Sequence, residues 1–144
     1  MEPSRRELIA FDTGEFEKSS KIVAELEQRH QATLTHIFST HKHSDHVGGN
    51  LEWLSARPNL KIMGSSKDLN VIPGLKQENA MNDIQTMTIG ELCVCCLHTP
   101  GHTQDHCVYV VTHVTPDSTK TPFLFSGDTL FTAGCGRLLG GSAS

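Results

Sequence analysis

The chain has 144 residues, 37% of them hydrophobic and 19% charged, with a formal net charge of −4, which fits one globular domain and is too short for two ordinary ones. No Lys/Arg-rich run supports nucleic-acid binding, and no apolar stretch approaches the roughly 20 residues that span a bilayer. The start, MEPSRRELIAF, lacks the apolar region of a secretory signal, so the expectation is a cytoplasmic protein with no nucleic-acid or membrane partner, its oligomeric state left open.

Taken in chain order, a short apolar strand from Leu8 to Phe11 ends at Asp12-Thr13-Gly14. Glu15 to His30 reads as a helix, with Phe16, Ile22, Val23 and Leu26 near helical spacing. Thr33 to Thr40 is a β-rich run. Val47 to Arg57 reads as a second helix carrying Leu51 and Leu54 and stopping before Pro58. Leu60 to Met63 is a candidate strand, and residues 64–82, rich in Gly, Ser, Asn and Pro, read as an irregular connection. Four strands are then predicted: Ile84 to Ile89, Leu92 to Leu97, Cys107 to Val111 and Phe123 to Phe125. Gly90 marks a hairpin between the first two, and Thr115-Pro116-Asp117-Ser118 a turn between the last two. Two helix-plus-strand units followed by a strand-rich run predict a layered α/β (α+β) domain spanning 1–144.

Five cysteines is an odd count, and Cys93, Cys95 and Cys96 fall in one apolar run. In a strand Cys93 and Cys95 share one face and Cys96 takes the other, which suits small buried hydrophobes better than a redox turn. Cys107 and Cys135 read as unpaired too, so no disulfide framework is expected.

The chemistry is concentrated in Thr40-His41-Lys42-His43-Ser44-Asp45-His46, followed by Gly48-Gly49. Imidazole and carboxylate are ligands for divalent ions such as zinc, manganese and iron. Residues two apart share one face of a strand, so His41 and His43 are placed to share an ion, and the glycines suggest that the chain turns just after them. Further donors are available in His102, within Thr-Pro-Gly-His-Thr, and in Asp128, within Ser-Gly-Asp-Thr-Leu. Both lie in turns after apolar runs, where loops carry chemistry on a rigid scaffold. His30, His36, His98 and His113 have no ligand spacing and are expected to be ordinary surface or core histidines. His106, four residues past His102, is a candidate for a place behind the ligands.

With THKHSDH, TPGHT and GDTLFTAGCGR in place, the chain resembles the metallo-β-lactamase superfamily, and within it glyoxalase II, the hydroxyacylglutathione hydrolases. The resemblance runs from about Ile9 to Gly141. It implies an αββα sandwich with the metal site at one sandwich edge, here incomplete at both ends. It also implies a site for two divalent ions, zinc first and iron or manganese as alternatives. His41, His43 and His102 match ligands of the first ion, Asp45 and His46 match ligands of the second, and Asp128 matches the bridging carboxylate. Asp45 and Asp128 are thus the carboxylates expected to take part in catalysis. Thr40 and Asp12 match positions that support the ligand loop, although a plain turn role for Asp12 is an equal reading. The implied reaction is hydrolysis of a small thioester such as S-lactoylglutathione to D-lactate and free thiol.

Arg137 matches a basic residue that binds the carboxylate end of glutathione, against the alternative of a solvated surface arginine. Leu139 stands where a tyrosine is common, which leaves room for a different thiol. Relatives are expected to continue past the equivalent of Gly141 to a last metal-binding histidine and a helical substrate domain. Gly140 to Ser144 reads as a helix start, with serine as N-cap. The chain is therefore expected to be a shortened form without that helical domain. Two rivals follow from the same residues: a persulfide dioxygenase using one iron bound by two histidines and an aspartate, and a catalytically impaired short isoform.

Overall fold

The computed structural model describes residues 6–114 and 121–140; the turn expected at Thr115–Ser118 and most of the helix start expected at Gly140–Ser144 lie outside them. The first half alternates strands and helices. Strand β1 (Arg6–Phe11) leads through helix α1 (Phe16–His30) to β2 (Ala32–Phe38), then through α2 (Ser44–Val47) and α3 (Asn50–Ala56) to β3 (Lys61–Ser65) and a short β4 (Ala80–Met81). These four strands form one sheet in the order β1-β2-β3-β4, every pair parallel. Parallel strands need a crossover between them, usually helical, and α1 and α3 provide two. β2 is buried on both faces at Leu34, Ile37 and Phe38, as suits the middle of a covered parallel sheet.

The second half is an antiparallel meander: β5 (Thr86–Ile89), β6 (Leu92–His98), β7 (Cys107–His113) and β8 (Phe123–Phe125), in that order. Ile89 pairs with Leu92 across a two-residue loop whose first residue, Gly90, has φ +55°, a conformation glycine adopts without strain. Phe38, Met63 and Met81 of the first sheet meet Ile89, Val94, Cys96, Tyr109 and Val111 of the second in one apolar core. A second core, with Val23, Leu34, Ile37, Trp53 and Ile62, lies between the first sheet and helices α1 and α3. The layers are therefore helices, sheet, sheet; among the described residues no helix lies on the outer face of the second sheet.

Local differences from the expected elements have identifiable causes. The helix expected from Val47 to Arg57 is broken at Gly48-Gly49, which cap α2 and open α3. Ile84 is not in a strand: it has φ +59° and is 72% exposed, so β5 starts only at Thr86. β2 stops at Phe38: the Ser39 N–H to Met63 carbonyl bond at 2.9 Å is its last rung to β3, and the Thr40 N–H goes to the Asp12 carboxylate as the chain leaves the sheet. Residues 64–82 hold two 3₁₀ turns as well as β4. Cys93 and Cys95 are half-buried on one face of β6 and Cys96 is buried on the other.

Candidate metal centre

Three loops meet at one end of the sandwich. The loop after β2 brings His41, His43 and His46; the one between β6 and β7 brings His102; the 3₁₀ turn Gly127–Thr129 after β8 brings Asp128. Two donor groups result, His41/His43/His102 and His41/His46/Asp128, each with its ligand atoms within 4.8 Å of one another. His43 Nδ1 lies 3.0 Å from His41 Nε2 and 2.9 Å from His102 Nε2. A tetrahedral zinc with bonds of about 2.0–2.1 Å would place its nitrogens roughly 3.3 Å apart. Asp128 spans the groups, with Oδ1 3.1 Å from His46 Nε2 and Oδ2 3.4 Å from His102 Nε2.

Hydrogen bonding behind the rings fixes which nitrogen faces inward. His102 Nδ1 is 2.8 Å from the Arg137 carbonyl, which only accepts, so the proton sits on Nδ1 and Nε2 presents its lone pair. His46 Nδ1 is 2.7 Å from Asp12 Oδ2, with the same consequence. The Thr40 hydroxyl donates to Asp12 Oδ2 at 2.9 Å, so its oxygen accepts from His41 Nδ1 at 3.0 Å, and His41 Nε2 also faces inward bare. Ligating histidines are oriented by this kind of partner on the far nitrogen. Lone pairs converging at about 3 Å repel unless a proton or cation lies between them, so the donor set fits a divalent ion of the zinc, iron or manganese type.

Electrostatics agree for the buried member. Burial, reinforced by His46, His106, His43 and His102, pushes the His41 imidazole down to about 2, so it stays neutral and available to a cation. For His46 burial opposes charging, but the Asp12 hydrogen bond and charge, with Asp128 and Asp45, raise its pKa.

Two glycines make the approach possible. A Cβ on Gly136 would sit 2.5 Å from the Asp128 carbonyl oxygen and 2.7 Å from His102 Nδ1. Gly127 has φ +46°, and its Cβ would lie 2.5 Å from Thr40 Oγ1. The GDT and GCGR stretches therefore need glycine for close backbone packing against the ligands.

Of the expected site residues, His41, His43, His46, His102 and Asp128 come together. Asp45 stands at the rim, its side chain 76% exposed and Oδ2 3.6 Å from His46 Nε2, outside both donor groups. Arg137 is exposed, and what it gives to the cluster is its backbone carbonyl. His30, His36, His98 and His113 belong to neither group. The equal readings of Asp12 resolve here: its carboxylate holds Thr40 and His46 at once. Sequence reasoning missed Tyr109 and Cys107. The Tyr109 hydroxyl donates to the Ser39 carbonyl at 2.8 Å and Cys107 N–H to the Thr40 carbonyl at 2.9 Å, pinning the ligand loop from below. Their strand pattern looks like ordinary core, so no local signal marks them.

Residues 5–143 match the family model of the metallo-beta-lactamase superfamily. The chain is 38% identical over 132 residues to a probable hydroxyacylglutathione hydrolase of Schizosaccharomyces pombe, covering 92% of this chain and 47% of that protein. It is 36% identical over 123 residues to a hydroxyacylglutathione hydrolase of Prochlorococcus marinus, covering 85% and 47%. The chain thus spans about half the length of these curated relatives. Among solved structures, ETHE1 from Myxococcus xanthus superposes with a TM-score of 0.65 at 28% identity, over 95% of this chain and 53% of that one. BJP-1, a subclass B3 metallo-beta-lactamase of Bradyrhizobium japonicum, superposes with a TM-score of 0.67 at 20% identity, over 90% and 55%, a likeness of fold.

Proposed function

The chain belongs to the metallo-β-lactamase superfamily, and from that premise we propose that it carries the metal centre of a thioester hydrolase acting on hydroxyacylglutathione-type substrates, with S-lactoylglutathione as the type case. The observation that carries this reading is the inward convergence of His41 Nε2, His43 Nδ1 and His102 Nε2, with Asp128 spanning to His46. The names of the relatives at 36% and 38% identity support the substrate class.

His41, His43 and His102 would hold one ion, and His46 and Asp128, with Asp45 at the rim, a second. When bound, divalent ions supply Lewis acidity and lower the pKa of a water toward about 7. The chain's own residues do the rest. Asp12, Thr40 and the Arg137 carbonyl keep the ligand rings in one tautomer and orientation. Asp128 and Asp45 place negative charge beside His46. In the overall reaction water adds to the thioester carbonyl, the C–S bond breaks, and the thiol leaves with a proton; a thiolate is a good enough leaving group to need no strong acid. The exposed Arg137 is suited to the carboxylate of the thiol carrier. Zinc is the first candidate ion, a methylglyoxal-derived thioester the first candidate substrate, and the cytoplasm the proposed address.

The test is incubation of metal-loaded protein with S-lactoylglutathione while following free thiol and dissolved oxygen. Thiol release without oxygen uptake is expected. Oxygen uptake with glutathione persulfide and no thiol release from thioesters would move the assignment to a mononuclear-iron dioxygenase. Inactivity of the metal-loaded chain toward both would favour the impaired isoform.

A further inference from the structure

Beneath the proposed ligands lies a fifth imidazole that neither donor group uses. His106 is fully buried and stacks under His41, ring centroids 4.7 Å apart and planes 24° from parallel. Its Nε2 lies 3.2 Å from the backbone nitrogen of Asp128. A backbone N–H only donates, so Nε2 accepts and the ring proton resides on Nδ1. That atom faces two hydroxyls, Thr129 Oγ1 at 3.1 Å and Thr99 Oγ1 at 3.2 Å, which lie 3.0 Å from each other. Its own carbonyl accepts from Thr99 N–H at 2.8 Å. A Cβ on Gly127 would meet His106 Nε2 at 3.0 Å as well as Thr40, so the Asp128 turn is laid directly against this ring.

We propose that His106 is a positioning residue for Asp128: protonated on Nδ1, it accepts the Asp128 N–H and ties the His41, His102 and Asp128 loops into one unit. The proposal rests on the reading of these loops as a metal centre. A core histidine merely filling space would not need its Nε2 aimed at the one backbone N–H that fixes Asp128. Nor is His106 a ligand, because the lone pair that would bind is already engaged.

The distinction is open to a cycle of variants. In a glutamine replacement the side-chain oxygen falls near the place of Nε2, whereas in asparagine it falls near Nδ1 and cannot reach Asp128. Cobalt(II) titration of metal-free protein, followed by visible absorption, reads affinity without any turnover. His106→Asn is expected to weaken cobalt binding about 10–100-fold, the usual loss for a residue behind a metal ligand, and His106→Gln to recover most of it. His106→Asn combined with Asp128→Asn should bind no more weakly than Asp128→Asn alone, since residues acting through one another are not additive. Far-UV circular dichroism of each metal-free variant reports folding. If wild type binds no cobalt, the metal reading itself fails and this inference with it. If wild type binds, then equal affinity of the Asn variant, equal loss in Asn and Gln, or additive losses in the double variant overturns the role of His106 while leaving the centre intact.

Discussion

Asp12 and Thr40 are 28 residues apart in sequence and joined twice: Asp12 Oδ1 accepts the Thr40 backbone N–H at 2.8 Å and Oδ2 accepts its hydroxyl at 2.9 Å. The same Oδ2 receives His46 Nδ1–H. Pairing of β1 with β2 as parallel neighbours sets Phe11 beside Phe38, so both strands deliver their next residues to the same edge. Asp12 turns there with φ +51°, a left-handed conformation that aspartate and asparagine tolerate better than most residues.

Asp12→Asn therefore isolates the charge and acceptor pattern from the backbone. Asparagine keeps the turn but offers only one side-chain oxygen, so either the Thr40 N–H loses its acceptor at Oδ1, or the Thr40 hydroxyl and His46 together lose theirs at Oδ2. Metal affinity is expected to fall by roughly 10–100-fold, with the far-UV circular dichroism unchanged. Calorimetric zinc titration checks this. Wild-type affinity in the variant would show that Asp12 only shapes the turn.

Gly136→Ala should damage the site through a single methyl group. The added carbon cannot coexist with the Asp128 carbonyl at 2.5 Å and His102 Nδ1 at 2.7 Å, so the strand-like segment must move away and take the Arg137 carbonyl with it. His102 then loses the acceptor that fixes its tautomer. The expected outcome is loss of metal affinity comparable to that of His102→Ala, measured side by side.

Metal-free protein should lose stability as pH falls from about 7 toward 4, where an unfolded histidine takes up its proton near 6.5. Burial keeps His41 down to about 2 and His106 to about 4, and burial with Lys61 lowers His36. In this window His41, and His106 until pH nears 4, are protonated in the unfolded chain and not in the folded one, and the lowered His36 works in the same sense, so acid favours unfolding. His46, raised, works the other way, as does Asp68, which burial and then the Asp105 charge push up to about 6. Three groups oppose two. Urea midpoints in the presence of chelator should be lower at pH 5 than at pH 7, and the reverse order would contradict the balance.

Trp53 anchors the helical layer: it is 2% exposed, meets Phe16 edge-on with centroids 5.1 Å apart, lies under the Arg57 guanidinium and donates to Ser19 Oγ at 3.1 Å. Arg57 is held over it by Glu27. Trp53→Ala should cost about 3–5 kcal/mol of folding stability, read from denaturant unfolding. Because α3 carries the buried Asn50, which bonds Ser39 Oγ and the Pro73 carbonyl, metal affinity should drop in the same variant.

What the sequence made legible was the set of donors and the kind of elements that carry them. His41, His43, His46, His102 and Asp128 stand out because ligand types cluster at turn positions, and the periods of α1 and β6 are strong enough to survive packing. Less legible was whatever depends on contacts between distant segments. The roles of Asp12 and His106 follow from hydrogen bonds to Thr40, His46 and Asp128, and spacing alone does not show a direction. The break at Gly48-Gly49 was hidden by an apolar pattern that continues through Val47, Leu51 and Leu54. Ile84 was mistaken for a strand residue because β-branching describes a preference for pleated surfaces, whereas here its left-handed backbone places it in an exposed turn.

The central claim is that His41 and His43 belong to a centre for a divalent transition metal, and metal content tests it most directly. Elemental analysis of purified wild type should find zinc, iron or manganese, and His41→Ala/His43→Ala, purified identically and shown to be folded, should have lost most of it. Equal metal content in the two proteins would contradict the account.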